Sequence, residues 1–321
     1  MSLFDSLLLL IISLTLVGIA YVVRSQRIVG RKLSELIILT RRLDKEFGNQ
    51  VGELQNSIQA LSAKTFMDSS SSRSAMKYVL SFTSYPARFS TLEQILPSIQ
   101  GQILKPTEIH LNLAREHYQQ LPIALRKKLQ SAGIKVFQGE DLGPGKKLIP
   151  TLSRTKLPII TIDDDLILSN DLTLQLMFQH QLFPGQIIAS RTHRINPDSA
   201  GAPNSFHHWR KEFFQDPGPD ARLFATSGAG TLFPAGSLHK DATDSPLYRE
   251  LAFHTDDLWW YFQARRIGTN VRRIPGRRAL HFIEGTQADG LWSTGNKERN
   301  DENLTKLLAR YGNPLDKSKL R

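Results

Sequence analysis

Cysteine is absent from the 321 residues. That excludes a disulfide framework, a zinc–thiolate site and a cysteine nucleophile, and it suits a reducing compartment. No GxxxxGK[ST] stretch occurs, so a Walker-type phosphate loop is excluded. The Arg272, Arg273, Arg277, Arg278 run has no aromatic platforms spaced through it, which argues against nucleic acid as a partner. No internal repeat is visible. Acidic residues are the minority, 30 Asp and Glu against 41 Lys and Arg, and the net charge of +11 favours anionic partners such as phosphates, nucleotides or acidic lipid. What is present is a chain 40% hydrophobic and 22% charged, which can bury a core and is not a disordered polymer. Its length allows one large domain or two ordinary ones.

Residues 6–23 carry no charge and are mostly Leu, Ile and Val. At about 1.5 Å per helical residue the run spans roughly 27 Å, close to the hydrocarbon thickness. No Lys or Arg precedes it, as a cleaved signal peptide requires, whereas Arg24, Arg27, Arg31 and Lys32 follow it. Residues 1–24 are therefore expected to be a single inner or plasma membrane anchor, with the rest of the chain on the cytoplasmic side. In residues 25–67 an apolar stripe recurs at Leu36, Leu39, Leu43, Phe47, Val51, Leu54, Ile58 and Leu61. It reads either as a self-associating coiled-coil stalk with one stutter, or as an amphipathic helix on the membrane or on its own domain. The Ser-rich stretch 68–76 reads as a linker.

From residue 77 to 321 the pattern alternates strand and helix. Strands are expected at 77–82, 108–113, 135–137, 157–162 and 186–190, and helices at 92–103, 122–132 and 172–182. That alternation predicts an α/β domain with a mostly parallel sheet flanked by helices. Ligands of such sheets bind beyond the carboxyl ends of the strands.

The Ile159–Ile162 run ends in Asp163-Asp164-Asp165. Three unpaired carboxylates between apolar runs would repel one another and resist desolvation. A turn with one capping Asp accounts for one acid but not three. The cluster therefore points to a divalent cation, Mn²⁺ or Mg²⁺, which would also neutralise a diphosphate. A second pair, Asp256-Asp257, opens a helix; it is either a cap and dipole partner or holds a general base. In Gly143-Pro144-Gly145-Lys146-Lys147, either lysine is a phosphate contact or solvated. Ser227-Gly228-Ala229-Gly230-Thr231 lacks bulk, which is either a simple turn or a place where substrate approaches the backbone. His281 is either a late metal ligand or a structural histidine. His207 and His208 fit an acceptor-side loop, and the Arg run either a solvated face or a contact to lipid phosphate or diphosphate.

The segments Thr83-Ser84-Tyr85-Pro86-Ala87-Arg88, Lys147-Leu148-Ile149-Pro150, Asp163-Asp164-Asp165, Gly228-Ala229-Gly230-Thr231-Leu232-Phe233-Pro234 and Thr255-Asp256-Asp257-Leu258-Trp259 occur in that order. In order and spacing the chain from about Lys77 to Tyr311 resembles a bacterial GT-A-fold glycosyltransferase, similar to family 2. The resemblance implies a metal-dependent, inverting transfer from a nucleotide-sugar donor to a glycan or lipid-linked acceptor hydroxyl. It implies that Asp163 and Asp165 stand where the DXD motif binds metal, with Asp163 and Asp164 at the nucleotide-sugar. It also implies that Thr83, Ser84 and Arg88 lie in the loop for base and ribose, and that Asp257 or Asp256 is the base. The Gln-x-x-Arg-Trp motif of processive synthases is missing, which favours single addition. Two rivals accompany this reading. One is a haloacid-dehalogenase-type phosphohydrolase, whose acids sit on the domain's first strand. The other is a non-catalytic membrane scaffold or glycan-binding module.

Overall fold

The computed structural model describes residues 76–276, 278–286 and 296–316, together with most residues between 32 and 58 and residues 61 and 65. The chain divides into two units, Met1–Leu54 and Gln55–Arg321. In the first, the described residues from 32 onward are helical. The stripe residues Leu36, Leu39, Leu43, Phe47, Val51 and Leu54 are all exposed, by 37% to 70%. The expected anchor at 1–24 and linker residues 68–75 lie outside the described residues. Among the described residues no helix is long and apolar enough to cross a membrane. Met76, assigned to the linker by its neighbours in sequence, is 3% exposed and joins the hydrophobic core, so the α/β body starts there.

The second unit is built on a seven-stranded sheet. Its strands are β1 (Val79–Thr83), β2 (Glu108–Ala114), β3 (Ile134–Gly139), β4 (Ile159–Thr161), β6 (Ile187–Ala189), β9 (Thr231–Phe233) and β10 (Val271–Arg273), in the order β10-β6-β9-β4-β1-β2-β3. β4, β1, β2 and β3 run parallel, as do β6 and β10. β9 runs antiparallel between β4 and β6. Two small ribbons complete the strands: β5 (Leu166–Ile167) with β11 (His281–Phe282), and β7 (Thr192–Arg194) with β8 (Leu223–Ala225).

Helices cover both faces. α1 (Phe89–Gln100), α3 (Ile123–Ser131) and α5 (Leu172–Leu182) join one core cluster with Leu80, Phe82, Ile160 and Ile162. α2 (Arg115–Gln120) follows β2. The opposite cluster gathers α4 (Ile149–Leu152), α6 (Ser245–Ala252), α7 (Asp256–Arg265) and α8 (Asn296–Tyr311) around Ile159 and Phe233. Asp244 caps α6 by accepting from the Leu247 amide at 2.9 Å. α7 carries apolar residues on every side, with Leu258, Trp259, Trp260, Tyr261 and Phe262 all buried. The Trp259 indole donates to the Ala242 carbonyl at 3.1 Å, and the Trp260 ring stacks on Tyr248. This packing fixes the start of α7 rigidly beside the sheet.

Candidate active site

Side chains of a strand alternate between faces. Ile160 and Ile162 enter one core, and Ile159 enters the other. Thr161 shares the Ile159 side and donates its hydroxyl to the Ser227 carbonyl at 2.8 Å. Continued past the strand end, that alternation sends Asp163 and Asp164 to opposite sides. Asp163 Oδ1 accepts from Lys147 Nζ at 2.5 Å. Asp164 Oδ1 accepts from Arg88 Nη1 at 2.9 Å, and the same nitrogen lies 3.0 Å from Asp165 Oδ2.

The antiparallel pairing of β4 with β9 explains why a distant turn arrives here. Thr161 pairs with Thr231, so the residues just before Thr231 lie over those just after Thr161. The 3₁₀ turn Ser227–Ala229 therefore covers the acids, and the Asp163 amide donates to the Gly228 carbonyl at 2.8 Å. Asp256 and Asp257 form the first turn of α7, at the positive end of its dipole. Thr255 occupies the N-cap position but does not cap; its hydroxyl donates back to the Ala252 carbonyl. Asp257 Oδ1 accepts from the Ser227 amide at 2.8 Å. Asp256 Oδ2 accepts from the Ser227 hydroxyl at 3.2 Å and the Trp260 indole at 3.4 Å, and lies 3.4 Å from Lys147 Nζ. One buried lysine thus joins the acids after β4 to those opening α7.

These contacts set the electrostatics. Burial works against the charge of Lys147, but Asp163, Asp256 and Asp257 together hold its pKa above that of an ordinary lysine. Arg88 is likewise held high by Asp164 and Asp165 against burial. Burial pushes Asp164 up, while the Ser84 hydroxyl and Arg88 pull it down. Burial and then the Asp163 charge push Asp165 up to about 6. Burial and then Asp256 push Asp257 up to about 7, against Lys147.

Lys147 and Arg88 offset part of the charge of these acids: Lys147 reaches Asp163 and Asp256, and Arg88 reaches Asp164 and Asp165. Among the described residues no three His, Asp or Glu side chains converge as a protein-built metal cage. The carboxylates do suit an ion shared with a substrate. Asp163 is 41% exposed, and its repulsion of Asp165 is what a divalent cation between the two would relieve. Mg²⁺ and Mn²⁺ take one or two carboxylates and complete their shell with water and phosphate.

Other expected residues fall elsewhere. Lys146 turns away from its neighbour, pairs with Asp141, and lines a cavity of about 250 Å³ with Asn112, Phe137 and Arg154. Thr83 donates to the Asn112 carbonyl at 2.7 Å, a contact within the sheet. Ser84 is buried near Asp164, and Arg88 is engaged by the acids. His281 is exposed on β11 opposite Ile167, and just past that strand the Ile283 amide donates to the Asp165 carbonyl at 2.9 Å. The arginine run is not a solvated face. Arg272 donates to Gln179, Arg273 is buried, and Arg278 holds Asp171 through two contacts of 2.7 and 2.9 Å. Arg277 lies outside the described residues. His207 pairs with Asp301 at 3.3 Å, and Trp209 is in the core. The acids follow the fourth strand of the body rather than its first, unlike the phosphohydrolase alternative.

Gly228 is required by close approach. A Cβ there would sit 1.7 Å from Asp163 Oδ2. Gly228→Ala is expected to swing the whole Asp163 side chain aside, because the new Cβ would also sit 2.2 Å from Asp163 Cγ, and that movement breaks the contact with Lys147. A charge-assisted contact is worth about 1.5–3 kcal/mol, so nucleoside diphosphate affinity should fall about tenfold or more. Titration calorimetry checks this, and unchanged affinity would remove Asp163 from the donor site.

No family model matches the chain, and no curated protein matches it. Among solved structures, S. aureus TarS residues 1–349 in complex with UDP aligns with TM-score 0.45 and 14% identity, over 64% of this chain and 60% of that one. A second crystal structure of TarS 1–349 gives TM-score 0.43 and 14% identity over 73% of this chain and 71% of that one. A 4-diphosphocytidyl-2C-methyl-D-erythritol synthase gives TM-score 0.40 and 12% identity over 69% and 97%. This chain spans 60% of the length of the UDP-bound TarS fragment. The α/β architecture, a mostly parallel sheet flanked by helices, rests on the strand order and register of the chain itself.

Proposed function

We propose that the α/β body is a GT-A-type glycosyltransferase that moves a sugar from a nucleoside diphosphate to an acceptor hydroxyl with inversion. One observation carries this reading. Lys147 bridges an acid cluster at the carboxyl end of a central strand to a carboxylate pair at a helix start, at 2.5 Å from Asp163 and 3.4 Å from Asp256. Donor charge and acceptor proton are thereby handled side by side. Asp257, with its pKa lifted to about 7, is matched to take a proton near neutral pH. The acceptor oxygen then bonds to the anomeric carbon as the bond from that carbon to the diphosphate oxygen breaks. Attack from the face opposite the leaving group inverts the centre. Lys147 offsets the charge that develops on the departing diphosphate. Mn²⁺ or Mg²⁺ held by Asp163 and Asp165 would, when bound, neutralise the same diphosphate.

The same proposal places the body on the cytoplasmic side of the membrane, tethered through residues 1–24, where nucleotide-sugars are made and a glycan or lipid-linked acceptor is at hand. The exposed stripe of the stalk suits self-association of two copies.

A thermal-shift screen of UDP, GDP, CDP and ADP, each with Mn²⁺ and with EDTA, tests the reading. One diphosphate at about 100 times its Kd should stabilise the protein by about 2.7 kcal/mol. No shift with any of the four would overturn the transferase reading. A shift that persists in EDTA would remove the metal and leave the enzyme.

A further inference from the structure

Asp256 and Asp257 are consecutive on a helix, so their side chains diverge by about 100° around its axis. One residue nevertheless serves both. Ser227, 1% exposed, donates its amide to Asp257 Oδ1 at 2.8 Å and its hydroxyl to Asp256 Oδ2 at 3.2 Å. Its own carbonyl is fastened to the sheet by the Thr161 hydroxyl at 2.8 Å. The donors run in one direction: Lys147 Nζ donates to Ser227 Oγ at 3.4 Å, and that hydroxyl passes its own proton toward Asp256. Asp256 Oδ2 also meets the Trp260 indole and Lys147 itself. Asp257 takes the Ser227 amide at 2.8 Å, and it is less buried than Asp256.

Resting on the transferase reading above, we propose that Ser227 is a positioning residue that divides the labour between the two acids. Its hydroxyl, with Lys147 and Trp260, fixes Asp256 as the anchor of Lys147, and its amide aims Asp257 at the acceptor. Asp257 is then the base, and Asp256 acts through Lys147 on the donor side. Nothing in the spacing of the Ser-Gly-Ala-Gly turn announces this role; it arises because β9 brings that turn over β4.

The test compares Ser227→Thr with Ser227→Val, which match in shape and differ in the hydroxyl. Both add the same methyl group to a buried site, so any packing cost is common to the pair. The Thr variant is expected to bind nucleoside diphosphate about tenfold or more tightly than the Val variant, and to show a correspondingly lower KM for donor, because only Thr keeps the hydroxyl that fixes Asp256 and, through it, Lys147 on the donor side. The two should agree in kcat at saturating donor, since both keep the backbone amide that aims Asp257. A purely structural role would move kcat, affinity and melting temperature together. If either variant fails to fold, Ser227→Ala replaces the pair: a nucleotide affinity about tenfold below native, with kcat changed less than affinity, supports the role, and native affinity overturns it. Equal affinity for Thr and Val overturns the role of Ser227 while leaving the transferase in place. A native chain that neither binds nucleotide nor transfers sugar overturns both.

Discussion

An Asp257→Asn variant is expected to bind nucleoside diphosphate as the native chain does and to transfer sugar about 10²–10⁴-fold more slowly, the range for loss of a general base. Asparagine keeps an oxygen to accept from the Ser227 amide, so the local geometry survives; what disappears is basicity. The native rate should rise with pH as Asp257 loses its proton near 7, and that limb should be absent in the variant. Stability gives a second readout with a definite sign. Asp257 titrates from about 7 in the folded chain against 3.8 when unfolded. Between those values the folded state holds the extra proton, so this group makes stability fall as pH rises through that window. Below it both states are protonated and the effect vanishes. The Asn variant lacks this slope and should gain melting temperature relative to native as pH increases from 4 to 7. Nucleotide binding, kinetics and melting curves across that range check all three statements. An Asn variant with native turnover moves the base elsewhere.

How much of this was legible beforehand depends on whether the relevant contacts are local. The helix expected at 172–182 coincides with α5, because an eleven-residue apolar pattern ends at Phe183-Pro184-Gly185, where the chain cannot continue helical. The helix expected at 92–103 instead runs from Phe89 to Gln100, since the short turn Pro86–Arg88 feeds directly into it. β9 carries no such local signal. Three buried residues show no period, and its antiparallel place between β4 and β6 is a long-range fact. The same distinction applies in the site. The acids at 163–165 and 256–257 announce themselves as runs of like charge. Their partners do not: Arg88, Lys147 and Ser227 reach them through sheet order and turn placement, which no local pattern records. The choice between Lys146 and Lys147 is equally a matter of direction along one 3₁₀ turn, with Lys147 facing Asp163 and Lys146 facing Asp141.

That divergence makes the second large prediction. Lys147→Met is expected to destabilise the body by about 3 kcal/mol, the low end for removing one partner of a buried ion pair. The low end applies because Asp163 is 41% exposed and partly solvated. Asp256, at 9%, has no such relief and is left beside Asp257 without its cation. At about 2–4 °C per kcal/mol for a body of this size, the melting temperature should drop by roughly 6–12 °C. Lys146→Met serves as the control. Its lysine is as buried, but its partner Asp141 is 47% exposed and can be solvated once released, so a clearly smaller loss follows. Function should separate the two lysines in the same direction. Lys147 lowers the pKa of Asp257, so in its absence Asp257 holds its proton to higher pH and the rising limb of the rate shifts alkaline. Nucleoside diphosphate affinity falls as well, because the cation nearest Asp163 is gone. If the two Met variants lose stability and nucleotide affinity equally, the lysine bridge between the two acid clusters is not what organises this site.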